Sequence, residues 1–146
     1  ETVEDPVLIE IFGLNPSSIR AMQNPNAAEE TVLTGVAAAK GTATGIARVL
    51  TSSDDMHRLE EGSILVCEST SPSWTPAFGK IAGAACDGGG MLSHAAIVGR
   101  EYGVPTVTAV GIATLAIKDG DEIEVDGTNG RVTILKRAAD LAAASR

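Results

Sequence analysis

Three consecutive glycines, Gly88-Gly89-Gly90, lie between a small-residue apolar run ending at Cys86 and a helix-like run that begins near His94. Glycine opens backbone angles closed to other residues and lets a ligand approach the main chain. The helix-like run stops at Gly103, a natural residue just past a helix end, before an apolar stretch of strand character over 104–110. One imidazole is therefore expected at a strand–glycine loop–helix junction. Free N–H groups and the helix dipole favour negative charge there. A histidine in that position is suited to carry, or contact, an anionic group such as phosphate.

The remainder of the chain narrows the setting. At 146 residues, one domain with a short appendage is expected. With 44% hydrophobic but only 3% aromatic residues, the core must be built from Ala, Val, Ile and Leu. A net charge of −8 argues against a nucleic-acid surface, which needs a basic stripe, and favours solubility. No apolar run approaches membrane-spanning length, and the N-terminus lacks a basic-then-hydrophobic signal pattern. The expectation is a cytoplasmic protein with no nucleic-acid and no membrane partner. The chain begins at Glu1 without a methionine, and a processed subunit, a trimmed chain or a domain cut from a longer protein is expected. Cys67 and Cys86 end two apolar runs without a C-x-x-C, which predicts two buried thiols over a zinc site or a disulfide.

Asp5-Pro6 and Asn15-Pro16 pair an N-cap with proline at the first helical position, predicting short helices over 6–12 and 16–23 and a polar linker over 24–30. From Thr31 the pattern becomes short strands, over 32–39 and 43–50, then a capped helical turn over 53–59 and a buried strand over 64–67. A turn at 70–76 leads to a short helix near 77–81 and a small-residue strand over 82–86. Beyond 104–110, strands over 122–125 and 131–135 flank Asp126-Gly127-Thr128-Asn129-Gly130 as a hairpin. The alanine-rich tail reads as helix or frayed terminus. Strands alternating with helices and ending in a hairpin predict a mixed α/β domain.

Gly-Gly-Met-Leu-Ser-His-Ala-Ala-Ile-Val-Gly-Arg-Glu-Tyr-Gly-Val-Pro, over 89–105, resembles the phosphohistidine signature of the phosphoenolpyruvate-utilising enzymes. That family includes phosphoenolpyruvate synthase, pyruvate phosphate dikinase, phenylphosphate synthase and rifampin phosphotransferase. Gly41, Gly45 and the Val-Asp-Gly-x-x-Gly-x-Val of 125–132 fit the same resemblance, which covers about residues 35–135. It implies a swivelling β/β/α phosphohistidine domain over 31–136, preceded by a helical appendage and linker over 1–30 and followed by a helix or tail over 137–146. It also implies that His94 is transiently phosphorylated by an ATP-grasp partner using ATP and Mg²⁺, then passes the phosphoryl group to a small-molecule acceptor. The chain shows no P-loop, no kinase-type glycine loop and no acidic pair suited to a magnesium nucleotide. It is therefore expected to bind no cofactor or metal itself.

A neutral imidazole, with an ordinary pKa near ~6.5, has a free lone pair, and a covalent intermediate divides one hard transfer into two easier ones. The simpler role for His94 is to cap its helix. Gly88, Gly89 and Gly90 either expose N–H donors to phosphate or form a tight turn. Ser93 either caps the helix or bonds phosphoryl oxygens, and Asp87 either orients the imidazole or caps the loop. Thr70 and Ser71 fall where the family has a polar loop near its histidine. Trp74 reads as packing, His57 as a solvated residue, and Arg100 and Glu101 as surface charges. Several dikinases carry a regulatory threonine two residues before the histidine. Leu92 stands there instead, which excludes that switch and, with Arg-Glu-Tyr-Gly-Val-Pro, resembles the small-molecule branch, with a phenolic or alcoholic hydroxyl acceptor. The alternatives are a pyruvate-acting phosphoenolpyruvate synthase or dikinase, a sugar phosphotransferase-type carrier, and a non-catalytic interaction module.

Overall fold

The computed structural model describes residues 31–139, so the helices expected over 6–12 and 16–23, the 24–30 linker and most of the 137–146 tail lie outside the described residues. In chain order the elements are β1 (Val32–Thr34), β2 (Val36–Ala39), β3 (Thr42–Val49), a 3₁₀ segment Ser53–Arg58, and β4 (Ile64–Cys67). A second 3₁₀ segment Pro72–Gly79, β5 (Gly83–Cys86), α1 (His94–Tyr102), β6 (Thr106–Thr108) and α2 (Ala113–Ala116) follow. The last described elements are β7 (Glu122–Asp126) and β8 (Arg131–Lys136).

β4 and β5 are buried at every position, which is why both are continuous apolar or small-residue runs instead of alternating ones. Their side chains still alternate between faces. Ile64, Val66 and Ala85 join a core closed by Ile123, Val125 and Val132 from the hairpin strands. Leu65, Cys67, Ala84 and Cys86 join a second core roofed by Trp74, Phe78, Ala95 and Val98. Two β layers and one helical layer result, the swivelling β/β/α arrangement that the sequence resemblance implies. The small residues of β5 let layers pack closely on both sides, at the expense of apolar area per residue.

The described strands run in the order β1-β8-β7-β3-β4-β5-β6-β2. β3 joins the two β layers: Thr42 to Ile46 pair antiparallel with β7, and Ala47 to Val49 pair parallel with β4. β1 and β2 sit at opposite ends of that order although only Gly35 separates them, so the sheet almost closes on itself. The single strand expected over 32–39 is thus two. β1 pairs with β8 and β2 with β6, and the Gly35 N–H donates to the Gly130 carbonyl at the crossover.

Two other expectations change. The strand over 104–110 shortens to three residues, because Ala109 takes a left-handed φ of 56° and Gly111 one of 87°. That kink lets Ala109 and Val110 donate back to the carbonyls of Gly88 and Cys86, fastening the chain after β6 to the glycine loop. The helix expected near 77–81 is a 3₁₀ segment that begins earlier, at Pro72, and contains Pro76. Proline lacks the N–H an α-helical ladder needs, and a short 3₁₀ turn tolerates that loss. The two thiols are free and buried with their sulfurs 3.8 Å apart, as expected from the sequence. The hydrogen bond with Cys86, followed by burial, raises the Cys67 pKa well above its ordinary value. No helix among the described residues is long and apolar enough to cross a membrane.

Two stability predictions follow from this backbone. Left-handed angles cost an alanine about 1 kcal/mol, so Ala109→Gly should raise the thermal midpoint by a few degrees; differential scanning calorimetry measures it. In the β7–β8 turn, the Asp126 carboxylate accepts from the side-chain amide and backbone N–H of Asn129 and from the Thr128 N–H. These bonds, the Asn129 side chain first, lower its pKa. A lowered native pKa means stabilisation that is present above the ordinary carboxylate range and lost as pH falls through the native value. The cost of Asp126→Ala in urea unfolding should therefore be greatest near neutrality and shrink below about pH 4.

Candidate functional site

β4 and β5 are parallel neighbours in the register Cys67↔Cys86, so the loops that follow them leave the same sheet edge side by side. The C-terminal edge of parallel strands is where such folds commonly place ligands. After β4 the chain supplies Thr70 and Thr75; after β5 it supplies the glycine loop and His94. Ladder bonds continue past both strands, from Asp87 N–H to the Cys67 carbonyl and from Gly88 N–H to the Glu68 carbonyl at 2.7 Å. The two loops therefore share one rigid base.

His94 is the first residue of α1 and is half-buried. Its Nδ1 lies 2.8 Å from Thr70 Oγ1 and its Nε2 lies 3.2 Å from Thr75 Oγ1. Each hydroxyl can donate or accept, so the pair accommodates a neutral imidazole: one ring nitrogen donates its proton and the other accepts one. Phe78, itself buried, presents an edge to the ring at 6.4 Å and 81°, limiting its tilt. Ser93 is the N-cap. Its Oγ accepts from Ala96 N–H and donates to the Gly90 carbonyl at 2.8 Å, tying the helix start to the loop. Such a cap is worth about 1 kcal/mol. The N–H groups of His94 and Ala95 meet no acceptor among the described residues. They are the free donors of a helix N-terminus, beside an imidazole.

The three glycines are not equivalent. Gly89 has φ 90°, and a Cβ there would sit 2.8 Å from Ser93 Oγ and 2.9 Å from Ser93 Cβ, so a side chain would push on the helix cap. A Cβ on Gly90 would meet nothing within 4 Å. Asp87 points away from His94. Its carboxylate accepts from Ala113 N–H at 2.5 Å and from Thr114 N–H and Oγ1 at 3.3 and 2.5 Å. It thereby holds α2, a helix with no clear sequence signal, under the glycine loop. Ser71 pairs with Ser73 at 3.1 Å and not with the imidazole.

Sequence reasoning missed Thr75 and Phe78. The only signal for them is their place in the 3₁₀ segment after β4, which matters once β4 and β5 are known to be parallel neighbours. Arg100 is a surface charge, as expected from the sequence. That side chain is exposed, yet it donates through Nε to the Ala38 carbonyl at 2.8 Å and through Nη2 to the Met91 carbonyl. Trp74 is buried packing, and His57 is exposed with Nδ1 3.3 Å from the Asp54 carbonyl, both as expected. Among the described residues, no group of three or more His, Cys, Asp or Glu could hold a metal ion.

The chain is similar to several known proteins. The family model described as "PEP-utilising enzyme, mobile domain" matches residues 59–130. Rifampicin phosphotransferase of Bacillus cereus is 43% identical over 103 residues, 70% of this chain but 12% of that protein. Chondramide synthase of Chondromyces crocatus is 42% identical over 130 residues, 89% of this chain but 3% of that protein. The chain thus spans a small fraction of each of these curated relatives. A solution NMR structure of Enzyme I matches with a TM-score of 0.50 and 30% identity, covering 62% of this chain and 38% of that one.

The unequal glycines give a paired test. Gly89→Ala should cost about 1–2 kcal/mol from its left-handed backbone, plus whatever the contact with Ser93 adds. Gly90→Ala should cost much less. Thermal unfolding of the two variants beside wild type compares them directly, and equal losses would show that Gly89 has no special conformational role.

Proposed function

Because this chain belongs to the mobile-domain family of the PEP-utilising enzymes, we propose that it is the phosphoryl-carrier part of an ATP-dependent phosphotransferase, with His94 as the carrier. The observation that supports this most directly is the double hydroxyl grip on the imidazole, at a helix N-terminus whose first N–H groups are free. In the tautomer where Thr70 accepts from Nδ1–H, the lone pair lies on Nε2. As that lone pair forms the N–P bond, the P–O bond to the nucleotide breaks and its electrons stay on the departing oxygen. Thr75, already beside Nε2, turns its hydroxyl to a phosphoryl oxygen. The N–H groups of His94 and Ala95 at the start of the helix, with its dipole, favour the added negative charge. In the second transfer the acceptor's oxygen forms a P–O bond, the N–P electrons return to Nε2, and the acceptor's proton leaves to a base or to water.

The ATP and Mg²⁺ for the first step belong, in this reading, to an ATP-grasp domain or subunit that His94 visits, in a cytoplasmic setting. Leu92, 85% exposed two residues before His94, and Met91, 52% exposed, give the carrier an apolar tip for brief insertion into such a site. One histidine serving two sites calls for a small contact, on the order of ~1,200 Å² or less. A small-molecule hydroxyl is the proposed acceptor, in keeping with the rifampicin phosphotransferase likeness. A second setting, a carrier within a multidomain synthase, is favoured by the extent of the chondramide synthase match. That match spans 130 residues, against 103 for the phosphotransferase.

His94→Ala tests the carrier role. Incubated with its nucleotide-binding partner and labelled ATP, the wild-type protein should take up one acid-labile, base-stable phosphate, and the variant none. Equal uptake by both would place the carrier elsewhere. Label taken up by the chain without its partner would reveal a nucleotide site within this chain.

A further inference from the structure

We propose that Arg100 is a positioning residue for His94: its guanidinium clamps the loop that presents the imidazole to the edge of the sheet. The inference rests on the carrier reading of His94 but concerns a contact outside the histidine's own partners. In β2 the register slips between Ala37, opposite Val107, and Ala39, opposite Thr106. Ala38 is the extra residue of this bulge, so its carbonyl has no partner in the ladder. Ala38 is also 3% exposed, and a buried carbonyl left unpaired is costly. Arg100 Nε supplies the missing donor at 2.8 Å. From the same planar group, Nη2 donates to the carbonyl of Met91, three residues before His94.

The reach is possible because of the neighbouring residue. A Cβ on Gly99 would press against Thr106 Cβ at 3.2 Å and the Val104 carbonyl at 3.3 Å, so its absence lets the last turns of α1 lie close on β6. From there the next side chain extends over β6 to β2, the adjacent strand in the sheet. One guanidinium thus joins three elements: α1, which begins with His94; the loop at Met91; and the bulge at Ala38. The loop is also fixed by Gly88 N–H on the Glu68 carbonyl, by Ala109 N–H on the Gly88 carbonyl and by Ser93 Oγ on the Gly90 carbonyl. Met91 and Leu92, between these anchors and the helix, are exposed, and among the described residues it is Arg100 that holds the Met91 carbonyl. The Arg100 clamp therefore governs how firmly His94 stays between Thr70 and Thr75.

Arginine is needed for its fork. Two carbonyls on separate elements are met by two nitrogens of one rigid plane, which a single lysine ammonium on a flexible stem does not reproduce. Arg100→Lys keeps the charge and most of the stem; Arg100→Met keeps the stem and removes every donor. In a chain selectively ¹⁵N-labelled at its two histidines, the wild-type His94 ring signals above the ordinary imidazole pKa should be widely split, as for one tautomer. In both variants they should move together toward the averaged values of a free imidazole, while those of exposed His57 stay unchanged. In the full-length protein with its nucleotide-binding partner and labelled ATP, phosphorylation of His94 should slow on the order of tenfold or more, as misplacement of a reacting group does. A variant that loses thermal stability but keeps wild-type His94 signals and labelling would reduce Arg100 to a structural prop and overturn the proposal. If the wild-type protein takes up no label, the carrier reading fails, and the histidine spectra alone decide whether the clamp exists.

Discussion

The parallel pairing of β4 with β5 is the constraint on which the site depends. Cys67 opposite Cys86 sets the ends of the two strands level, so the loops after them begin from one line and run over the same edge. Were β4 to slip by one residue against β5, Leu65 and Cys67 would exchange cores with Ile64 and Val66, because side chains alternate with a period of two. Two different cores, one against the hairpin strands and one against the helical layer, hold the register. Thr70 reaches Nδ1 and Thr75 reaches Nε2 only because of it.

Around this edge, buried and half-buried polar groups tie successive segments to the glycine loop. The Asp87 carboxylate holds the start of α2, the Gly88 carbonyl receives Ala109, and Ser93 joins the helix start to Gly90. Ala109 pays in backbone strain for bending the chain back after β6. The base of the loop is in this way fixed from several sides, whereas Met91 and Leu92 stand out in solvent. A rigid base under a projecting tip suits a group that must keep its own geometry while entering another site. On the proposed carrier reading, uncharged hydroxyl partners suit the imidazole, because they orient a nucleophile without strengthening its hold on a phosphoryl group it has to release.

Features written in neighbouring residues were legible from the sequence. The glycines, Ser93, His94 and Gly103 mark a loop, a cap, a helix start and a helix end within sixteen residues, and α1 follows them. The hairpin of β7 and β8 is legible for the same reason, since Asp126 accepts from Thr128, Asn129 and Gly130 within the turn itself. β4 announces itself as an unbroken apolar run because both of its faces are buried.

What only the tertiary structure decided involves residues distant in the chain. Periodicity gives a strand its faces but not its neighbours, so nothing in 32–39 says that β1 and β2 lie at opposite ends of the sheet. Asp87 has the chemistry to face either the imidazole or a helix N-terminus, and the packing of α2 chose the latter. Thr75 is one hydroxyl among several in its segment until β4 and β5 pair. Arg100 looks like a surface charge until a bulge at Ala38, sixty-two residues away, leaves a carbonyl for it. The sequence by itself determined which histidine is presented and on what local scaffold, because capping and glycine geometry act over a few residues. The fold decided which groups hold that histidine, because strand pairing is what brings distant hydroxyls and carbonyls within hydrogen-bonding reach.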